Sequence, residues 1–179
     1  MMDSITVRRL DAAEARTSVA ALAEVLIDCV EGGASVSFMQ PMTREKAVGF
    51  WEMVATGVAR GERALLVAEA GDGGIVGTVQ LVLALPENQP HRADVAKMLV
   101  HSRARRRGAA QLLMEAVETT ARDEGRTLLV LDTVTGSTAD RLYTRAGWRR
   151  VGEIPNFALM PDGPFCSTTY FYKDLARRN

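Results

Sequence analysis

A chain of 179 residues, 47% of them hydrophobic, has the length of one domain and the apolar content of a substantial core. Its 22 Lys and Arg balance 22 Asp and Glu, so the formal net charge is zero, which argues against a general polyanion-binding surface. No apolar run reaches the roughly 18 residues of a membrane span, the opening MMDSITVRRLDAAEAR lacks the apolar centre of a signal peptide, and Cys29, Cys166, His91 and His101 are too few for a disulfide framework or a zinc site. The expectation is a single domain over residues 1–179, cytoplasmic, with no metal and neither nucleic acid nor membrane as partner.

Ile5 and Val7 alternate with Thr6 and Arg8 in a short first strand. Asp11 then caps an alanine-rich helix running to about Glu31, with Val19, Leu22, Leu26 and Val30 on one face. Gly32-Gly33 stop it, and the segment GGASVSFM leads to Thr43, which caps a second helix. That segment reads either as an ordinary helix-to-helix loop or as a wall of a substrate site, because binding groups are often carried on loops over a rigid scaffold. The second helix spans about Arg44 to Arg60 and buries Ala47, Phe50, Trp51, Val54 and Val58. Strands from Arg63 to Ala70 and from Ile75 to Leu85 flank the hairpin signal Gly71-Asp72-Gly73-Gly74, and Pro86 to Arg92 is a polar break.

From Val95 to Val100 the apolar pattern is too continuous for a solvent-facing edge and predicts an interior strand. The turn Arg105-Arg106-Arg107-Gly108-Ala109-Ala110 follows, and Leu112, Leu113, Ala116 and Val117 then recur at helical spacing up to a stop at Gly125. Arginines beside the free amides of a helix N-terminus suit an anion such as a phosphate; the same residues also read as a solvated surface with small residues serving packing. Thr127 to Val134 predicts a second buried strand, with Asp132 and Thr133 at its polar end. Ser137 caps a short helix that closes at Gly147, and the last strands, Arg149 to Ile154 and Ser167 to Lys173, are separated by the turn Met160 to Pro164.

The R-x-x-G-x-A pattern at Arg105, Gly108 and Ala110, approached from Leu99, and the segment Ala139-Asp140-Arg141-Leu142-Tyr143-Thr144-Arg145-Ala146-Gly147-Trp148 together resemble the motifs of the GNAT acetyltransferases. The order of elements resembles that superfamily over nearly the whole chain. The resemblance implies an α/β (α+β) fold, with a mixed, mostly antiparallel central sheet and helices on both faces, and acetyl-CoA as cosubstrate. It implies that the backbone of Met98, Leu99 and Val100 pairs with the pantetheine arm. Arg105, Arg106 and Arg107, with the amides of Gly108, Ala109 and Ala110, then hold the pyrophosphate.

The same resemblance makes Tyr143 the acid that serves the departing sulfur, where the alternative is a buried tyrosine anchoring the short helix. Asp132 becomes the base or the ammonium anchor of the acceptor, where the alternative is a carboxylate capping the loop to Ser137. Gly33, Ser35, Phe38 and Thr133 join Asp132 around the acceptor. The chain departs from the family pattern at Gly136, where many members carry an asparagine, at His101-Ser102, where a proline is common, and at Ala110, where glycine is more frequent.

Four further words, GGASVSFM, KMLV, LDTVTGS and PDG, resemble the toxin-resistance acetyltransferases of the tabtoxin type, which acetylate the amine of a β-lactam amino acid. They imply a small-molecule amine as partner, an amino-acid-like toxin or antibiotic. The competing reading is a CoA-binding or sensing domain with a degenerate acceptor site. Oligomeric state is not legible.

Overall fold

The computed structural model describes residues 4–176, so residues 1–3 and 177–179, the outermost parts of the expected single domain and of the opening segment, lie outside the described residues. The elements in chain order are β1 (Thr6–Leu10), α1 (Ala12–Thr17), α2 (Val19–Glu31), α3 (Arg44–Ala59), β2 (Arg63–Glu69), β3 (Ile75–Val82), β4 (Arg92–Val100), α4 (Ala109–Asp123), β5 (Leu128–Val134), α5 (Thr138–Arg145), β6 (Arg149–Leu159) and β7 (Phe165–Asp174). A 3-10 turn at Ser102–Ala104 joins β4 to the loop before α4.

The caps expected at Asp11, Thr43 and Ser137 are all made: their side chains accept from the amides of Glu14 (2.8 Å), Lys46 (3.2 Å) and Asp140 (3.1 Å). Glu14 returns a bond to the Asp11 amide at 2.9 Å, completing a capping box. The single long helix expected after Asp11 is two helices, α1 and α2, meeting at Ser18. Thr17 Oγ1 bonds the Glu14 carbonyl at 3.1 Å, a local side-chain competitor of the helical ladder, and the break lets α1 and α2 lie against different neighbours.

Seven strands form one sheet in the order β1-β2-β3-β4-β5-β7-β6, antiparallel throughout except for β4 beside β5. The chain therefore has the mixed, mostly antiparallel sheet that the resemblance implies. One face carries α4 and α5 over Leu66, Leu81, Leu129 and Phe171, and the other carries α1 to α3 over Leu65, Val67 and Leu99. Trp51, at 0% exposure, fills the centre of the second layer. Phe50 and Val58, expected in that buried stripe, remain half-buried at its margin.

Three strand limits differ from the sequence reading by three residues or more. β3 ends at Val82 because the amides of Leu83 and Ala84 turn to the Glu62 carbonyl at 2.9 and 3.0 Å. β4 begins earlier, at Arg92, which pairs with Leu128. β6 runs on through Pro155 to Leu159; an edge strand tolerates a proline because one of its sides needs no amide.

The parallel pair decides where a ligand can enter. β4 and β5 pair only at Arg92↔Leu128, Ala93↔Leu129 and Asp94↔Val130, although β4 continues to Val100 and β5 to Val134. Beyond Asp94 the two strands part, leaving the β5-facing backbone edge of β4 without a strand. Its other edge keeps its pairing to β3 but passes through a bulge: the register steps from Gln80↔Ala96 to Thr78↔Leu99, and Lys97 takes φ 51°.

Candidate active site

The loop from β4 to α4 is held from behind by α2. Asp28 accepts from both the amide and the hydroxyl of Ser102 at 2.7 Å and lies 3.6 Å from His101 Nδ1. Burial pushes the Asp28 carboxyl up, but the two Ser102 bonds and the charges of His101 and Arg105 outweigh it and hold it below the usual carboxylate range. Arg105 turns its Nε back to the Val100 carbonyl at 3.3 Å, and Cys29 Sγ approaches the same oxygen at 3.5 Å. Arg105 therefore braces the end of β4, while Arg106 and Arg107 are exposed in the turn.

Gly108 is the N-cap of α4 in the left-handed region, at φ 83° and ψ −3°. A Cβ built there would meet nothing within 4 Å, and Ala109 behind it is 2% exposed. The loop thus presents an open backbone surface at a helix end whose first amides lack intrahelical acceptors, a fit for a pyrophosphate. Gly108→Val adds a β-branched side chain where φ is positive and fills that space. The expected result is a rise of roughly tenfold or more in the Kd for acetyl-CoA with an unchanged circular-dichroism spectrum. An unchanged Kd by calorimetry removes the loop from the site.

Met98 and Val100 are half-buried along the parted edge, while Leu99, 2% exposed, points into the α2 layer. Of the three, Leu99 can offer only its backbone. On the α5 side of the seam Tyr143 is 5% exposed, its ring 6.0 Å from those of both Trp148 and Phe171. Its hydroxyl has no hydrogen-bond partner among the described residues. Burial, with the charge of Asp132 adding to it, pushes the phenol well above its ordinary value, so the group stays a donor.

Asp132 lies on the opposite face. Leu129 and Leu131 belong to the α4 layer, so Asp132, by the alternation of a strand, faces the α1 to α3 side, where it is exposed and accepts from Thr168 Oγ1 at 2.7 Å. It does not cap the following loop; Asp140 does, accepting from the Gly136 amide at 2.7 Å. By the same alternation Thr133 lies on the Leu131 face of β5, opposite to Asp132.

Other acceptor-side expectations divide. Ser35 Oγ is committed to the Leu159 carbonyl at 3.0 Å, and the Gln40 amide to the Pro161 carbonyl at 3.0 Å, so the loop after α2 is stitched to the β6–β7 hairpin. Gly33, at φ 92°, turns the chain and brings no side chain. Phe38 stacks edge-on against Phe50 at 5.2 Å as an apolar wall.

Lys97 and Tyr170 were not anticipated. Lys97 Nζ donates to Ser37 Oγ at 3.1 Å and lies 5.8 Å from the Phe50 ring centroid, and Tyr170 pairs opposite Asp132. The available signal for Lys97 was a charge interrupting an interior apolar strand. A separate cavity of about 350 Å³, lined by Ala21, Glu24, Gly74, Ile75, His101 and Arg103, opens beside the loop and contains none of the seam residues.

A mixed sheet whose one parallel pair parts above a glycine-capped helix, with a buried tyrosine at the opening, is the architecture of an acyl-CoA-dependent transferase. The acetyltransferase (GNAT) domain model matches residues 61–150, and the chain belongs to that family. It is 33% identical over 133 residues to an uncharacterized N-acetyltransferase in the hisH-hisA intergenic region of Azospirillum brasilense, covering 73% of this chain and 76% of that protein.

Solved structures agree on the fold. An N-acetyltransferase from Staphylococcus aureus Mu50 superposes with a TM-score of 0.78 at 18% identity, covering 96% of this chain and 99% of that one. The yncA protein of Salmonella typhimurium, solved with its cofactor acetyl-CoA, gives 0.76 at 17% identity, covering 98% and 96%. A GCN5-related N-acetyltransferase from Kribbella flavida gives 0.77 at 22% identity, covering 96% and 98%. Among the described residues no helix is long and apolar enough to cross a membrane, and no group of His, Cys, Asp and Glu could hold a metal ion.

Proposed function

We propose that the protein transfers an acetyl group from acetyl-CoA to the amine of a small, amino-acid-like molecule such as a toxin or antibiotic, in the cytoplasm. The observation that supports this reading is a convergence: the loop after α2 is bonded both to Lys97 on β4 and to the turn between β6 and β7. The 32–39 loop touches Lys97 through Ser37, Gln40 bonds Pro161 of the PDG turn, and the field of Asp132, from LDTVTGS, reaches Lys97. A merely CoA-binding domain has no use for that arrangement.

Acetyl-CoA supplies the acetyl thioester. The open amides of Gly108, Ala109 and Ala110, with Arg106 and Arg107 nearby, hold its pyrophosphate, while Arg105 keeps the end of β4 in place. The free edge of β4 at Met98 to Val100 receives the pantetheine arm as an added strand. The Tyr143 hydroxyl donates to the sulfur that leaves, and Asp132 takes a proton from the incoming ammonium, directly or through water. Small amines approach between Phe38, Phe50 and Tyr170.

Two measurements test this. Calorimetry of the full chain with acetyl-CoA is expected to give saturable binding, and heating with the cofactor a raised Tm, since a ligand selective for the folded state stabilises it. Thiol release with pooled amino acids and amine antibiotics, followed by mass spectrometry, is expected to show an acetylated amine. Absence of acetyl-CoA binding rejects the reading outright, and binding without transfer to any amine favours the sensing domain.

A further inference from the structure

We infer that Lys97 is the anchor for a carboxylate on the acceptor, so that the substrate is an α-amino acid or close analogue, its ammonium toward Asp132 and its carboxylate toward Lys97. The inference rests on the acetyl-transfer reading above and deepens it.

Lys97 is the one charged residue in the run Val95 to Val100, inside an otherwise apolar strand. It sits at the bulge in β4 with φ 51°, a conformation costly to a residue with a side chain, and strain of this kind is retained where it aims a functional group. Its ammonium is half-buried, with the Ser37 hydroxyl and the Phe50 ring as its contacts, and no carboxylate lies within 4.0 Å of it among the described residues. A partly dehydrated cation without a counter-ion is unfavourable unless an anion arrives to complete it.

Its surroundings make an anion welcome. Arg63 on β2, held by Gln80 Oε1 at 2.9 Å, adds positive potential at Lys97, and the Gln80 side-chain amide is buried without an acceptor. Across the parted seam Asp132 is an opposite charge that acts on Lys97 from beyond ion-pair distance. Two opposite charges that act on each other without pairing are complementary to a zwitterion. A plain amine would leave Lys97 unanswered, and a carboxylic acid without an amine would leave Asp132 so. The competing role for Lys97 is structural, a tether for the 32–39 loop through Ser37.

The experiment uses the full chain at saturating acetyl-CoA with paired acceptors that differ only in the carboxylate: L-phenylalanine and phenethylamine, L-methionine and 3-(methylthio)propylamine, L-serine and ethanolamine, and the corresponding amino-acid amides. Wild type is expected to prefer the acids by tenfold or more in kcat/KM. Lys97→Met is expected to raise KM for the acids by roughly 30-fold or more, leaving kcat, the KM for acetyl-CoA and turnover of the plain amines unchanged. Lys97→Arg is expected to restore part of the preference.

Equal use of acids and amines by the wild type overturns the inference while leaving acetyl transfer standing. So does a Lys97→Met enzyme that loses both classes alike, the signature of a loop tether. Failure of calorimetry to detect any common L-amino acid on the acetyl-CoA complex also overturns it, whereas absence of acetyl-CoA binding overturns the parent reading as well.

Discussion

Asp132→Asn is expected to fold, to bind acetyl-CoA as the wild type does, and to lose acceptor turnover by a factor on the order of 10² to 10⁴. An aliphatic amine, with a pKa near ~10.4, reaches the site protonated at neutral pH and cannot attack a carbonyl until that proton is removed. Asp132 is the exposed carboxylate at the seam, and asparagine preserves an oxygen for Thr168 Oγ1, now at 2.7 Å. The loop beyond β5 does not depend on the lost charge, because Asp140 and Ser137 close it. If the charge chiefly anchors the ammonium, the loss appears as a raised acceptor KM; if it chiefly removes the proton, as a lowered kcat.

Near-wild-type turnover by this variant between pH 6 and pH 9 would remove Asp132 from the chemistry. Glu31, the next carboxylate to consider by its place beside Gly32-Gly33, is less suited, since its Oε1 is taken by the Met42 amide at 2.7 Å.

Tyr143→Phe is expected to lower kcat on the order of 10² with little change in acetyl-CoA affinity. The ring stays between Trp148 and Phe171, and the hydroxyl removed has no protein partner among the described residues, so stability should hold within ordinary surface-mutation limits. Because burial holds the phenol proton more tightly than a thiol holds its own, near ~8.5, the proposed role of Tyr143 is to donate a hydrogen bond to a departing thiolate instead of surrendering the proton outright. The raised pKa has a sign that can be checked: the donor form persists above the ordinary phenol range, so Tyr143 adds no alkaline fall to the pH profile of kcat below pH 10. An unchanged kcat in the folded variant returns Tyr143 to a structural role.

What was legible in the sequence is what short-range chemistry controls. Caps at Asp11, Thr43 and Ser137 depend on residues three positions apart, and the strand and helix periods depend on one element at a time. The glycine-capped turn at Gly108 and the A-x-x-L-Y segment were likewise local, so the family could be read before any geometry. Tertiary structure decided the acceptor end. The parting of β4 from β5 beyond Asp94↔Val130 is a relation between strands separated by a whole helix, and no local pattern encodes it.

The same relation sorted the candidate side chains. Thr133 and Asp132 are adjacent in sequence yet face opposite sides of the sheet, Ser35 is tied to Leu159 by a bond spanning 124 positions, and Lys97 is turned out of its strand by a bulge set by pairing to β3. From the sequence, the resemblance carried by Arg105, Gly108, Ala110 and the Ala139 to Trp148 segment pointed to a CoA-type donor, because a motif of a few adjacent residues is enough to mark a helix terminus and its loop. Only the tertiary structure decided that Lys97 and Asp132 come near each other, because they lie on separate strands whose register and splay are set by the packing of the whole sheet.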